Sequence, residues 1–125
     1  MERKTRQYEA ILDVIATAGR PLLAQEVLDL ATCHVPSLSL ATVYRNLKAL
    51  QSEGRIKSVV LPGQNPRYEL EVHTHHHYFQ CRQCERVFDV DACPGNLQMM
   101  APSGFRVEDH EIILYGCCKE CGDGR

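Results

Sequence analysis

A chain of 125 residues, 44% apolar and 24% charged, is long enough for one or two small domains, and neither half alone buries a generous core. The formal net charge of −2 hides an asymmetry: residues 1–61 carry eight Lys/Arg against six Asp/Glu, residues 62–125 six against ten, so a nucleic-acid surface is expected in the first half. Met1 to Tyr8 is polar with no apolar segment behind it, and no stretch approaches membrane-spanning length. A cytoplasmic protein with reduced cysteines and no membrane partner is therefore expected.

In chain order, Tyr8, Ile11, Leu12, Ile15 and Ala18 follow the spacing of an amphipathic helix over Gln7–Ala18, which Gly19 is placed to end. After Pro21, a short second helix is read from Leu23, Val27, Leu28 and Ala31, fading into a loop in which Cys33 is expected as a packed thiol and His34 as a solvated imidazole. Ser37 or Ser39 caps a third helix whose stripe Leu40, Val43, Leu47, Leu50 faces inward and whose end is marked by Gly54. That orientation leaves Thr42, Tyr44, Arg45, Asn46 and Lys48 outside, a cationic hydrogen-bonding surface suited to the major groove. Arg55–Leu61 and Arg67–Val72 read as strands about a Pro62–Pro66 turn, with Tyr68, Leu70 and Val72 on one face. Three helices and a hairpin make a winged helix, with Lys57 and Arg67 placed to meet phosphates.

The second half holds the chemistry. His73, His75, His76 and His77 are followed by Cys81-x-x-Cys84, and Cys118-x-x-Cys121 is separated from that pair by 33 residues. Two such knuckles supply four thiolates to one tetrahedral ion, a structural Zn²⁺ site. Arg86–Val90 and Phe105–Tyr115 read as strands and Leu97–Ala101 as a helix of about one turn, so this half is α+β with exposed edges that a second copy would cover. Cys117 is expected as a packed thiol facing away from Cys118.

Ser39-Leu-Ala-Thr-Val-Tyr-Arg-Asn-Leu47, followed by Arg67-Tyr-Glu-Leu70, the His/Cys block and Tyr115-Gly116-x-Cys118-x-x-Cys121, resembles the ferric uptake regulator (Fur) family over nearly the whole chain. The resemblance implies a homodimeric bacterial metalloregulator of α+β class: an N-terminal winged-helix DNA-binding domain, residues 1–72, then a small α/β dimerisation domain with the structural zinc, residues 73–125. It implies a repressor that binds a palindromic operator when a metal is held between the domains. Cys81, Cys84, Cys118 and Cys121 match the family's four-cysteine zinc site, and Tyr44 and Arg45 match residues that touch DNA.

Glu69, His76 and Asp89 match three ligands of the family's inter-domain regulatory site, but Pro21 and Tyr78 stand where histidines are usual. His75, His77 and His110 match a second family site. A gap of about three residues before Cys93 places that cysteine where the acidic fourth ligand normally falls. Three imidazoles and a thiolate favour zinc over harder ions, with copper and nickel as the alternatives. A zinc-sensing repressor is expected on these grounds, and within the family the other options are an iron, manganese or peroxide sensor. From other classes, a zinc hydrolase lacks a Glu in H-x-E or H-E-x-x-H context, and a zinc-ribbon module that binds protein rather than DNA is separated from a repressor by a mobility-shift assay with and without metal.

Overall fold

The structure, a computed structural model, describes residues 5–72 and 75–122; His73 and Thr74, which open the histidine block just after the expected domain boundary, lie outside the described residues. The chain divides into two compact units, residues 1–73 and 74–125.

In the first unit, α1 (Arg6–Ala18) starts where Thr5 Oγ1 accepts the Tyr8 N–H at 3.0 Å and stops at Gly19, whose φ of 64° closes the helix in the left-handed region. A two-residue strand that the periodicity does not announce, β1 (Leu22–Leu23), leads into α2 (Ala24–Ala31). Leu23 has no capping side chain, and Glu26 compensates by accepting the Leu23 N–H at 2.9 Å. Ser39, rather than Ser37, caps α3 (Leu40–Ser52), taking the Thr42 N–H at 3.2 Å.

Strands β2 (Ile56–Val59) and β3 (Arg67–Leu70) are antiparallel, and β3 is the central strand between β1 and β2. The core gathers Ile11, Ile15, Leu22, Val27, Val43, Leu47, Leu50 and Ile56 from every element of the unit except β3, which adds Tyr68. This is the expected winged-helix arrangement of three helices and a hairpin.

Local periodicity misplaces five side chains here. Leu40 opens α3 with its side chain exposed, so the inward stripe begins at Val43. On β3, Arg67, Tyr68 and Glu69 are all buried and Leu70 is exposed, as is Val72 just beyond the strand, so of the expected apolar face Tyr68 alone is buried. The reason is the strand's central position: Gln64 from the preceding turn hydrogen bonds Arg67, and Lys57, paired with Glu69 across the β2–β3 ladder, leans on that carboxylate at 3.8 Å.

The second unit is a three-stranded sheet in the order β5–β4–β6, from β4 (His77–Cys81), β5 (Val87–Val90) and β6 (Ile113–Gly116). β4 and β5 form a hairpin across the Cys81–Cys84 knuckle, where Glu85 adopts a φ of 67°. β6 runs parallel to β4, Tyr78 opposite Ile113 and Cys81 opposite Gly116, and Phe79 lies so close that a Cβ at 116 would meet its ring at 3.2 Å. A short α4 (Lys119–Gly122) follows.

The strand expected from Phe105 contracts to Ile113–Gly116, and the expected helix near Leu97 is a single 3₁₀ turn, Gln98–Met100. Gln98 explains the first change: its side chain donates to the Phe105 carbonyl at 2.6 Å and accepts the Val107 N–H at 2.9 Å, satisfying backbone that a ladder would otherwise pair. Among the described residues of this unit, the buried side chains are His77, Gln80, Cys81, Val87 and Cys118. Val87 is the one aliphatic residue in that set, so the unit has almost no hydrocarbon core.

Candidate metal centres and DNA-facing surface

The sheet topology brings the two knuckles together. Cys81 closes β4, Cys84 sits in the hairpin turn, Cys118 follows β6 and Cys121 lies on α4; their four sulfurs all fall within 4.8 Å of one another. Sulfurs about 2.3 Å from a tetrahedral Zn²⁺ stand roughly 3.8 Å apart. Cys84 Sγ and Cys118 Sγ are 3.9 Å apart, which fits that edge.

Polar hydrogens converge on the sulfurs. Cys81 Sγ accepts the backbone N–H groups of Cys84 and Gln83, each at 3.4 Å, and of Cys118 at 3.3 Å. The Cys84 N–H above all, with the Cys118 and Gln83 groups, outweighs burial and holds the Cys81 thiol down to about 6. Burial pushes the Cys84 thiol up, but the Arg86 Nε–H at 3.1 Å brings it below its usual value. Cys121 goes the other way, pushed up to about 12 by its contact with the Cys118 sulfur and by burial. So many negative charges cannot share this space alone; a divalent cation removes the conflict and deprotonates coordinating thiols.

Arg86 is a residue that sequence reasoning missed. Besides Cys84, it reaches Cys118 Sγ at 3.7 Å and pairs with Glu120 on α4, tying the two knuckles with one guanidinium. A cation two positions beyond the second cysteine was the available signal.

A second donor set lies at the other end of β4. His75 precedes the strand, His77 begins it, Cys93 follows β5 and His110 precedes β6. His77 Nε2 is 3.0 Å from His75 Nε2 and 3.4 Å from Cys93 Sγ; His110 Nε2 is 3.3 Å from both His75 Nε2 and Cys93 Sγ. The ligand atoms of all four residues lie within 4.8 Å of one another. Asp109 Oδ1 accepts the His110 N–H at 2.8 Å, holding the irregular segment that delivers this imidazole.

Burial of His77, then the His75 and His110 rings, lowers its pKa and favours the neutral imidazole that ligation requires. Its Nδ1 accepts the Ile112 N–H at 3.2 Å. A neutral ring with Nδ1 accepting carries its hydrogen on Nε2, so ligation of the neutral ring through Nε2 moves that hydrogen to Nδ1 and costs the Ile112 contact. Occupancy of the set is thereby tied to the entry into β6.

Of the remaining candidates, His76 and Asp89 meet at 3.6 Å in the second unit, with the Tyr78 ring 5.1 Å from the His76 ring. Glu69 lies in the first unit against Lys57. Pro21 is fully buried and carries no donor. Cys33 and Cys117, expected as packed thiols, are both exposed. Cys33 sits in the turn closing α2 and Cys117 in the link between β6 and α4.

On α3, Tyr44, Arg45 and Lys48 are exposed and Thr42 is half-buried. Arg45 Nη2 donates to Thr42 Oγ1 at 3.2 Å, and the Ser39 hydroxyl donates to the same oxygen at 3.0 Å. The guanidinium is thus held over the helix N-terminal turn. Asn46 instead donates to the Thr42 carbonyl at 2.9 Å. The expected phosphate contact by Arg67 is corrected: the residue is 4% exposed and its Nη1 bonds Gln64, leaving no surface for a phosphate. Lys57 is half-buried against Glu69 and only partly available.

With this geometry in place, comparison with known proteins is direct. The sequence profile of the ferric uptake regulator family matches residues 2–115. The peroxide-responsive repressor PerR of Staphylococcus aureus (strain USA300) is 30% identical over 124 residues, spanning 97% of this chain and 83% of that protein. Among solved structures, a zinc-bound manganese uptake regulator aligns with a TM-score of 0.81 at 23% identity, covering 94% of this chain and 91% of that one. The ferric uptake regulator of Francisella tularensis with iron aligns at 0.73 and 25% identity, covering 97% and 95%. A profile match across nearly the whole chain, on a winged helix followed by a cysteine-knuckle sheet, establishes that this chain belongs to the ferric uptake regulator family.

Proposed function

We propose that this protein is a cytoplasmic, homodimeric, zinc-responsive transcriptional repressor without enzymatic activity. Its Cys81, Cys84, Cys118 and Cys121 hold a structural Zn²⁺, and His75, His77, Cys93 and His110 hold the exchangeable ion that controls binding to a palindromic operator. The observation that carries this reading is the second donor set, separate from the four cysteines at the opposite end of β4 and open to solvent at His75 and Cys93. A closed set suits permanent structure, and an open-edged one suits exchange.

The relatives compared are named for peroxide, manganese and iron, so the donor chemistry selects the metal. Three imidazoles with a thiolate favour zinc. His76 and Asp89 carry the alternative regulatory site; a harder mixture of imidazole and carboxylate suits iron or manganese.

Coupling to DNA follows from chain length. His75 comes five residues after β3 ends at Leu70, so anchoring it shortens the tether between the DNA-binding unit and the rest. Metal then acts by population shift, to the extent that it binds the DNA-competent arrangement more tightly. The DNA surface is Thr42, Tyr44, Arg45 and Lys48 on α3, with Lys57 at its margin.

Mobility-shift titration of promoter DNA with zinc tests the reading. Cys93→Ala is expected to leave the structural zinc and the dimer intact and to raise the zinc needed for DNA binding by roughly tenfold or more, the order set by losing about 1.4 kcal/mol of ligand contribution. Cobalt in the exchangeable site should show a thiolate charge-transfer band that Cys93→Ala removes. No shift of promoter DNA with or without metal would point to a zinc-ribbon protein-interaction module instead, and turnover of a hydrolysable substrate to an enzyme.

A further inference from the structure

The cysteines differ in reach and in what restrains their sulfurs. Cys81 and Cys118 are buried, and Cys84 and Cys121 are half-buried. Cys81 Sγ accepts three backbone N–H groups and Cys84 Sγ takes Arg86 Nε. Such hydrogen bonds draw charge from sulfur and burial keeps reagents away. Cys93 is the contrast: it is exposed, its sulfur receives the Gly95 N–H at 3.4 Å, and its near neighbours are the imidazoles of His77 and His110. Within that donor set the thiolate is the one group that a mild two-electron oxidant attacks first.

We propose that Cys93 makes the His75, His77, Cys93, His110 site oxidant-labile, so that a hydroperoxide discharges the site and releases the protein from DNA. The inference rests on the reading of that set as the exchangeable metal site. In the step, the Cys93 thiolate attacks the distal peroxide oxygen, an S–O bond forms and the O–O bond breaks. Sulfur loses two electrons to give a sulfenic acid, and the departing hydroxide or alkoxide takes a proton from water. The anionic donor is gone, three neutral imidazoles remain, and the site's hold on its cation weakens. Cellular thiols reverse the change, because sulfenic acid condenses with a thiol and the resulting disulfide can be reduced. Zinc has no redox chemistry of its own, so the change belongs to the ligand.

Cys33 and Cys117 are exposed too, yet neither belongs to a ligand group among the described residues, so they serve as internal controls for thiol oxidation without metal loss. The experiment uses the full chain loaded with zinc at both sites, treated with stoichiometric hydrogen peroxide, with zinc release followed by a chromogenic chelator and sulfenic acid trapped by a 1,3-diketone and located by mass spectrometry. The expected result is loss of one zinc per chain with an adduct on Cys93. Cys93→Asp, which keeps an anionic donor, should release that zinc roughly tenfold or more slowly.

Retention of both zinc ions while untreated protein still shows the Cys93-dependent cobalt band overturns the inference and leaves the site reading standing. Equal release from Cys93→Asp assigns the loss to the four-cysteine set and also overturns it. Absence of that cobalt band removes the site reading, and the inference with it.

Discussion

Cys118→Ser is expected to remove the tightly held zinc and, with it, the folded second unit and the dimer. Cys118 is one of five buried side chains described in that unit, and its backbone N–H and its sulfur both belong to the network around Cys81 and Cys84. With Val87 as the one buried aliphatic side chain among the described residues there, burial cannot replace the lost ligation. Structural zinc sites contribute about 10–16 kcal/mol of apparent binding energy that is also folding energy, so losing a ligand reaches the whole unit. Zinc analysis and gel filtration read the outcome, and Cys81→Ser should behave alike. The first unit, with its own apolar core from Ile11 to Ile56, should keep its helical circular dichroism. A Cys118→Ser protein that stays dimeric with full zinc would show that the four-cysteine assignment is wrong.

Arg45→Ala is expected to weaken operator binding by about 1–3 kcal/mol if the guanidinium reads a base, or to lower the salt slope by about one if it meets phosphate alone. The hydrogen bond to Thr42 Oγ1, itself braced by Ser39, holds Arg45 before DNA arrives, so part of the ordering cost is already met. Loss of affinity that vanishes against a mismatched operator would identify a base contact; uniform loss would identify a phosphate contact. Zinc content should not change, because the donor sets of Cys81 and His77 lie in the other unit. Unaltered affinity together with an unaltered salt slope would take Arg45 out of the interface.

The sequence by itself determined the first unit's helices and the four-cysteine motif, because both are written locally. The apolar spacing of Ile11, Ile15, Val43 and Leu47, the Ser39 cap and the Gly19 stop act within about one helical turn. Two C-x-x-C pairs announce their chemistry by spacing alone. Pairings across long separations were not legible in the same way. The parallel pairing of β4 with β6 joins Tyr78 to Ile113, and no local pattern specifies it. Only the tertiary structure decided that Arg67 and Glu69 are buried while Leu70 is exposed, since a central strand is covered from both sides by whatever neighbours it acquires. Likewise Gln98 turned the expected strand at Phe105 into an irregular segment by capturing its backbone groups. That segment carries His110 to within 3.3 Å of Cys93, so a donor set spread over 36 residues of chain closes through side-chain hydrogen bonds that periodicity does not register.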